Sequence, residues 1–348
     1  MPTAFTIYNC GTGYNRSKND VVARLSRVTA SPQIIHDGPG SGGFVPFGGR
    51  NPGGATTLGG LIGGAGVDAN VTSGVAAVKE ALRAGPALVN MCGWSRGAIT
   101  CFKIANALAQ DPVTRGVKVN IFAVDPVPGG SALNNHMWRN VAVSANLGMC
   151  NVVLAQHDRR SLFAPVYPTV NGPFTDVDIM PGDHSTIVEY KEGRSEAHEL
   201  VIDMAKRFLR ARGTMFQDNS LLAPLEILHR YATIAEHFDD YAQFAKGVSG
   251  KPKDRFKGQR SIMDDQRKQM AKMLPVKPAF FLNEHHRETC RALFPRIVDE
   301  IDRPAQKAFA DERRGTWLPE FEKMSDLVTS HAKMVLFYIL SLPPRAAN

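Results

Sequence analysis

No apolar run in this sequence approaches the ~20 residues needed to span a bilayer. The most apolar late segment, 334–340, is too short and reads as core packing. The first eight residues lack a basic region followed by a long apolar stretch, so no cleaved secretory signal is expected. The five cysteines (Cys10, Cys92, Cys101, Cys150, Cys290) are odd in number and have no paired spacing. That disfavours a disulfide framework and a zinc site, and points to reduced thiols from cytosolic synthesis. A dinucleotide loop is missing as well. No G-x-G-x-x-G follows a strand with an acidic residue about 20 positions on, and no cofactor is expected.

What is present is ordinary for a globular chain: 348 residues, 43% hydrophobic and 21% charged. This excludes a mainly disordered or fibrous protein. The length holds one large domain plus an appendage, or two modest domains. The formal charge of +8 is concentrated in 246–277, where ten Lys/Arg stand against three Asp. Such a segment suits anionic lipid, nucleic acid or an acidic partner, or serves as a solvated linker kept extended by its own charge. Nucleic acid is not favoured.

Over the first ~210 residues, β-like runs alternate with helical stretches, the pattern of a mainly parallel sheet covered by helices. Strands are expected at 4–9, 33–36, 87–92, 118–125, 151–156 and 175–179. Helices are expected at 20–27, 71–83, 97–110 and 195–212. Between 37 and 66 lies a glycine-dense insert that reads as an ordered, irregular loop over the catalytic face. From 214 onward strand signals nearly vanish, and apolar residues recur at helical spacing over 221–247, 261–273 and 319–342. The fold class is therefore α/β, an α/β-hydrolase-like sheet domain over 1–213 followed by a helical region over 214–348.

Gly93-Trp94-Ser95-Arg96-Gly97 is a G-x-S-x-G preceded by an apolar run and followed by a good helix. A strand that turns abruptly into a helix at a serine holds that serine in strained geometry and presents its hydroxyl above the sheet. The helix N-terminus beneath it favours developing negative charge. Ser95 is thus the candidate nucleophile; the bland alternative is an ordinary strand-to-helix turn. A base is needed downstream. His198, His229, His237 and His331 sit in helix-like runs, and His36 and His136 do not follow the last strand. His184 does, in the loop after Pro181-Gly182. Two carboxylates compete for the acid. Asp158 follows the strand before the histidine loop, the usual place for this member. Asp125 ends the strand at 118–124, where a purely structural carboxylate is the alternative.

These residues resemble the α/β-hydrolase family that includes type VI secretion phospholipase (Tle) effectors. That family carries an early D-G-T, a D-G-x-G-x-x-G, a G-F-S-R-G-A elbow, a D-T-V, a D-E-R-R with a nearby Phe, and a G-x-H-S. Here they read as Cys10-Gly11-Thr12, Asp37-Gly38-Pro39-Gly40-Ser41-Gly42-Gly43, Gly93-Trp94-Ser95-Arg96-Gly97-Ala98, Asp125-Pro126-Val127, His157-Asp158-Arg159-Arg160 with Phe163, and Gly182-Asp183-His184-Ser185. The correspondence covers about residues 5–190. Cys10, Pro126 and the His157-Asp158 pair depart from it, and the last of these keeps both acids open.

The resemblance implies hydrolysis of an ester in a phospholipid or related lipid. It further implies delivery into a competing cell without a signal peptide, with a secretion-needle protein and an immunity protein as partners. The oxyanion hole would use the Arg96 N–H and an amide near Gly11 or Thr12. Two alternatives stand beside a lipase: a soluble small-molecule esterase or thioesterase, and a degenerate hydrolase that binds or anchors through its helical region.

Overall fold

The structure is a computed structural model that describes residues 4–47, 49–50, 66–85, 88–128, 142–143, 146–155, 158, 165, 169–170, 177–237, 241 and 284–292. In chain order the main elements are β1 (Phe5–Asn9), α1 (Val21–Val28), β2 (Gln33–His36), α2 (Val67–Arg83), β3 (Leu88–Trp94), α3 (Arg96–Gln110), β4 (Lys118–Val124), β5 (Leu147–Ala155), β6 (Val177–Met180), α4 (Glu196–Arg210), α5 (Pro224–Glu236) and α6 (Glu284–Arg291). The six strands form one sheet in the order β6-β5-β4-β3-β1-β2, and every neighbouring pair is parallel. The expected α/β class is observed. Two short pairings, Phe44–Val45 with Gly49–Arg50 and Ala142–Val143 with Thr169–Val170, lie outside this sheet.

The strands are apolar on both faces, as a parallel sheet covered on both sides requires. Ile7, Met91, Ile121 and Val152 face one core with Ile99, Phe102 and Ile104 of α3. Tyr8, Cys92, Phe122 and Val153 face the other with Leu25 of α1 and Met204 and Phe208 of α4. Burying each such Val, Leu, Ile or Phe contributes about 1.5–3 kcal/mol, so alternation along each strand fixes which neighbour sits on which side.

Element ends shift by a few residues from expectation. β3 runs two residues past 92 because Gly93 and Trp94 continue the ladder against Ala123 and Val124. α2 begins at Val67, four residues earlier than the apolar period alone indicates. The chain beyond 213 does not leave the sheet domain at once. Thr214 Oγ1 meets Thr6 Oγ1 at 2.9 Å, and Gln217 N–H donates to Val28 O at 2.7 Å.

Late in the chain, α5 lies within the helix expected over 221–247, α6 falls outside the expected ranges, and both pack on α4 through a buried polar node. Asp203 of α4 takes His286 Nε2 at 2.9 Å and Arg207 Nε at 2.5 Å, while Tyr231 Oη bonds His286 Nδ1 at 3.0 Å. The basic segment 246–277 and the expected helices at 261–273 and 319–342 lie outside the described residues. Among the described residues, no helix is long and apolar enough to cross a membrane.

Candidate functional site

In the sheet order, the chain moves from β1 to β2 on one side and resumes at β3 on the other. Crevices for ligands form at the strand C-termini beside such a reversal. β1 ends there at Asn9, β3 at Trp94, β4 at Val124 and β5 at Ala155. Ser95 and Asp125 follow directly on neighbouring strands, since Trp94 is paired with Val124.

Ser95 has φ 56° and ψ −128°, a conformation L-residues rarely adopt. Its N–H is held by Val124 O at 3.0 Å, and its carbonyl accepts from Ala98 N at 3.1 Å in the first turn of α3. The chain tolerates this turn because the residues two positions to either side, Gly93 and Gly97, have no side chain. A Cβ on Gly97 would overlap the Asn9 carbonyl of β1, and one on Gly93 would fall 2.5 Å from Gly97 O. The expected strand–turn–helix at the serine is observed.

His184 sits in a loop whose shape is locally encoded. Gly182 takes φ 110° and packs against Thr186. Asp183 Oδ1 then caps the following turn, accepting from Ser185 N at 2.9 Å and Thr186 N at 2.8 Å. Burial raises the Asp183 pKa, but Lys191 and these hydrogen bonds prevail and hold it below the usual carboxylate range. The His184 ring lies against Trp94, centroids 4.9 Å apart, and Trp94 in turn meets Tyr14 edge-on at 4.9 Å. Trp94 also covers Gly11, where any Cβ would strike the indole.

The chain order favoured Asp158 as the partner of the imidazole, with Asp125 as the rival. The structure gives the ring to Asp125. Its Oδ2 bonds His184 Nδ1, and its Oδ1 accepts Ala155 N–H at 3.1 Å. Asp125 reaches both because it too has a left-handed backbone, φ 40°, with its N–H on Val153 O at 2.6 Å. Asp158 instead accepts the backbone N–H of His184 at 3.1 Å. The correction has a plain cause: Asp125 leaves the strand adjacent to the one that leads into Ser95, whereas Asp158 lies three residues past the end of β5. Ser95, Asp125, Asp158 and His184 are all at most 4% exposed.

The expected oxyanion residues come from two elements that approach where a Cβ on Gly97 would meet the Asn9 and Cys10 carbonyls. Arg96 opens α3, and Gly11 and Thr12 follow β1. The loop they begin is fixed by the glycine-dense insert, with Gly13 N–H on Pro39 O at 2.9 Å and Gly38 N–H on Tyr14 O at 2.7 Å. Asp37 ties the two loops by accepting Arg16 N and Nε at 2.9 and 3.1 Å. Residues 37–47 of the insert thus lie beside the loop after β1, at the C-terminal end of the sheet, while 48 and 51–65 lie outside the described residues. Nothing in the residue order signals the buried network beneath it, in which His36 bridges Asn9 Oδ1 and Ser73 Oγ at 2.9 Å each. Burial, helped by Arg16, lowers the His36 pKa to about 3, so the ring is neutral.

The five cysteines are free and buried. Burial pushes Cys101 and Cys290 up to about 12 and Cys10 and Cys92 well above the ordinary thiol value, so these four are protonated and poor nucleophiles at neutral pH. Among the described residues, no group of three or more His, Cys, Asp or Glu is placed to hold a metal. His157, Arg159, Arg160 and Phe163 lie outside the described residues. No protein-family model matches the sequence, and no curated protein matches it.

Proposed function

We propose that this chain is a serine ester hydrolase of the α/β-hydrolase type, with Ser95 as nucleophile, His184 as general base and Asp125 as the acid that orients it. The observation that carries the reading is the Asp125–His184 ring bond, formed at the strand ends beside a serine in strained backbone. With Nδ1–H committed to a carboxylate, the lone pair of the neutral imidazole lies on Nε2.

In the proposed reaction Nε2 takes the Ser95 proton as Oγ attacks the ester carbonyl. The tetrahedral oxyanion is met by the Arg96 amide and one amide near Gly11 or Thr12. Imidazolium then protonates the leaving alkoxide, and the alcohol departs. Water attacks the acyl-serine by the same route in reverse, with His184 taking the water proton and returning it to Ser95. Asp125 stabilises the imidazolium without taking the proton.

Lipid is the proposed substrate class, supported by the resemblance to the phospholipase effectors. On the same footing, the biological setting would be a toxin delivered to a competing cell, with an immunity protein and a secretion-needle protein as partners. The anchoring alternative draws its support from the altered His157-Asp158 motif, and Asp125 supplies an acid independently of that motif.

The test is labelling by a fluorophosphonate probe, followed by assay on phospholipid vesicles and on a short soluble ester with products identified by mass. Labelling of wild type but not of Ser95→Ala, with fatty acid released from vesicles, supports the reading. Turnover of the soluble ester alone would move the substrate to the small-ester class. Absence of both labelling and turnover overturns the hydrolase.

A further inference from the structure

Two carboxylates from successive strand ends converge on one histidine and take different hydrogens from it. Asp125 takes the ring Nδ1–H and Asp158 the backbone N–H, at 3.1 Å. Asp125 is itself fastened to Ala155 N–H at 3.1 Å, at the end of the strand from which Asp158 departs. The three hydrogen bonds therefore close a circuit: Ala155 to Asp125, Asp125 to the His184 ring, the His184 backbone to Asp158, and Asp158 back along the chain to Ala155.

We infer that Asp158 is a positioning residue that holds the His184 backbone where its ring meets Asp125. The role rests on the hydrolase reading for its effect on turnover, but not for its geometry. An imidazole is aimed by its χ angles and by the position of its Cα. Trp94 lies against the ring and Asp183 caps the turn that follows. Asp158 fixes the peptide N–H between them. β6 is an edge strand, hydrogen-bonded only to β5 among the described strands, so the loop it feeds has no second strand to hold it. A charge-assisted bond to a buried amide is roughly twice as strong as a neutral one, and displacing a reacting group by about 1 Å can lose about 10²-fold in rate.

The role predicts a pattern that neither an orienting acid nor a bystander would give. An asparagine at 158 still offers an amide oxygen to His184 N–H, so Asp158→Asn should keep turnover within about tenfold of wild type. Asp158→Leu removes the acceptor and should lose about 10²-fold in kcat, with Asp158→Ala carrying the comparison if the leucine variant does not fold. Asp125→Asn should be far worse than Asp158→Asn.

The geometry is read without turnover from the far-downfield proton resonance of His184 Nδ1–H. It should persist in wild type and Asp158→Asn, and be lost or broadened in Asp158→Leu and Asp125→Asn. An Asp158→Leu enzyme with wild-type rate and resonance overturns the proposal. So does a folded Asp158→Asn protein as inactive as Asp125→Asn, which would make Asp158 the acid. If the resonances follow the predicted pattern while wild type neither labels nor turns over ester, the positioning stands and the hydrolase reading fails.

Discussion

The Asp125 carboxylate joins two structural tasks, one oxygen on the His184 ring nitrogen and the other on the amide that ends β5. This single side chain links the His184 ring to the sheet. A change to asparagine keeps the shape but removes the charge and favours the wrong imidazole tautomer, a loss on the order of 10⁴-fold in the well-studied serine protease triad. Asp125→Asn is predicted to show that scale of loss in kcat with the protein still folded. Rate and melting temperature measured together decide it: a drop explained by unfolding alone would assign Asp125 a structural role.

Ser95→Ala and His184→Ala are each predicted to lower ester turnover by about 10³-fold or more. Members of a triad act as a unit, so the double variant should be little worse than either single one. Full activity in either single variant would end the catalytic assignment.

Gly97 is predicted to be intolerant of a methyl group. An alanine Cβ there would overlap the Asn9 carbonyl, and backbone in a central strand cannot move aside as a side-chain tip can. Gly97→Ala should cost about 1–3 kcal/mol or more and lower the rate with it. Gly116 is the control, since nothing lies within 4 Å of its added Cβ. Gly116→Ala should stay within about 1 kcal/mol of wild type. Equal denaturation midpoints for the two variants would contradict the packing argument.

Acid stability is set by buried groups that titrate in opposite senses. Burial holds His36 and His198 down to about 3, with Arg16 and Arg24 helping in turn. Below pH 6.5 the unfolded chain takes up protons that these folded rings refuse, so stability falls on acidification toward pH 3. Asp20 works the other way. Burial raises it to about 6 against the hydrogen bonds it accepts from Ala23 and Val22, and its buried Oδ2 has no hydrogen-bond partner among the described residues. The folded state therefore binds the extra proton between about pH 4 and 6, which offsets part of the histidine loss. Asp20→Asn keeps the cap acceptor and deletes this offset. The variant should lose about 2 kcal/mol more than wild type between pH 7 and pH 4. Parallel stability–pH curves would show that Asp20 does not carry the shift.

Much of this arrangement is written locally. The apolar runs and their spacing define six strands and the helices between them, because burying alternate side chains on both faces leaves few other ways to place them. The elbow is legible at Gly93–Gly97, since strain at a serine between small residues is a property of consecutive positions. The His184 loop is legible too: Gly182 supplies the left-handed backbone and Asp183 the cap within five residues. Which carboxylate meets the imidazole is different. Asp125 and Asp158 each follow a strand, and chain order even favours the second. The choice is made by strand adjacency and by a left-handed backbone at Asp125 that aims its carboxylate at a residue 59 positions away. The His36–Asn9–Ser73 relay and the Asp203–His286 node are hidden for the same reason. Their partners become neighbours only when parallel strands and their covering helices close, and a sequence lists residues by order along the chain rather than by their distance across the sheet.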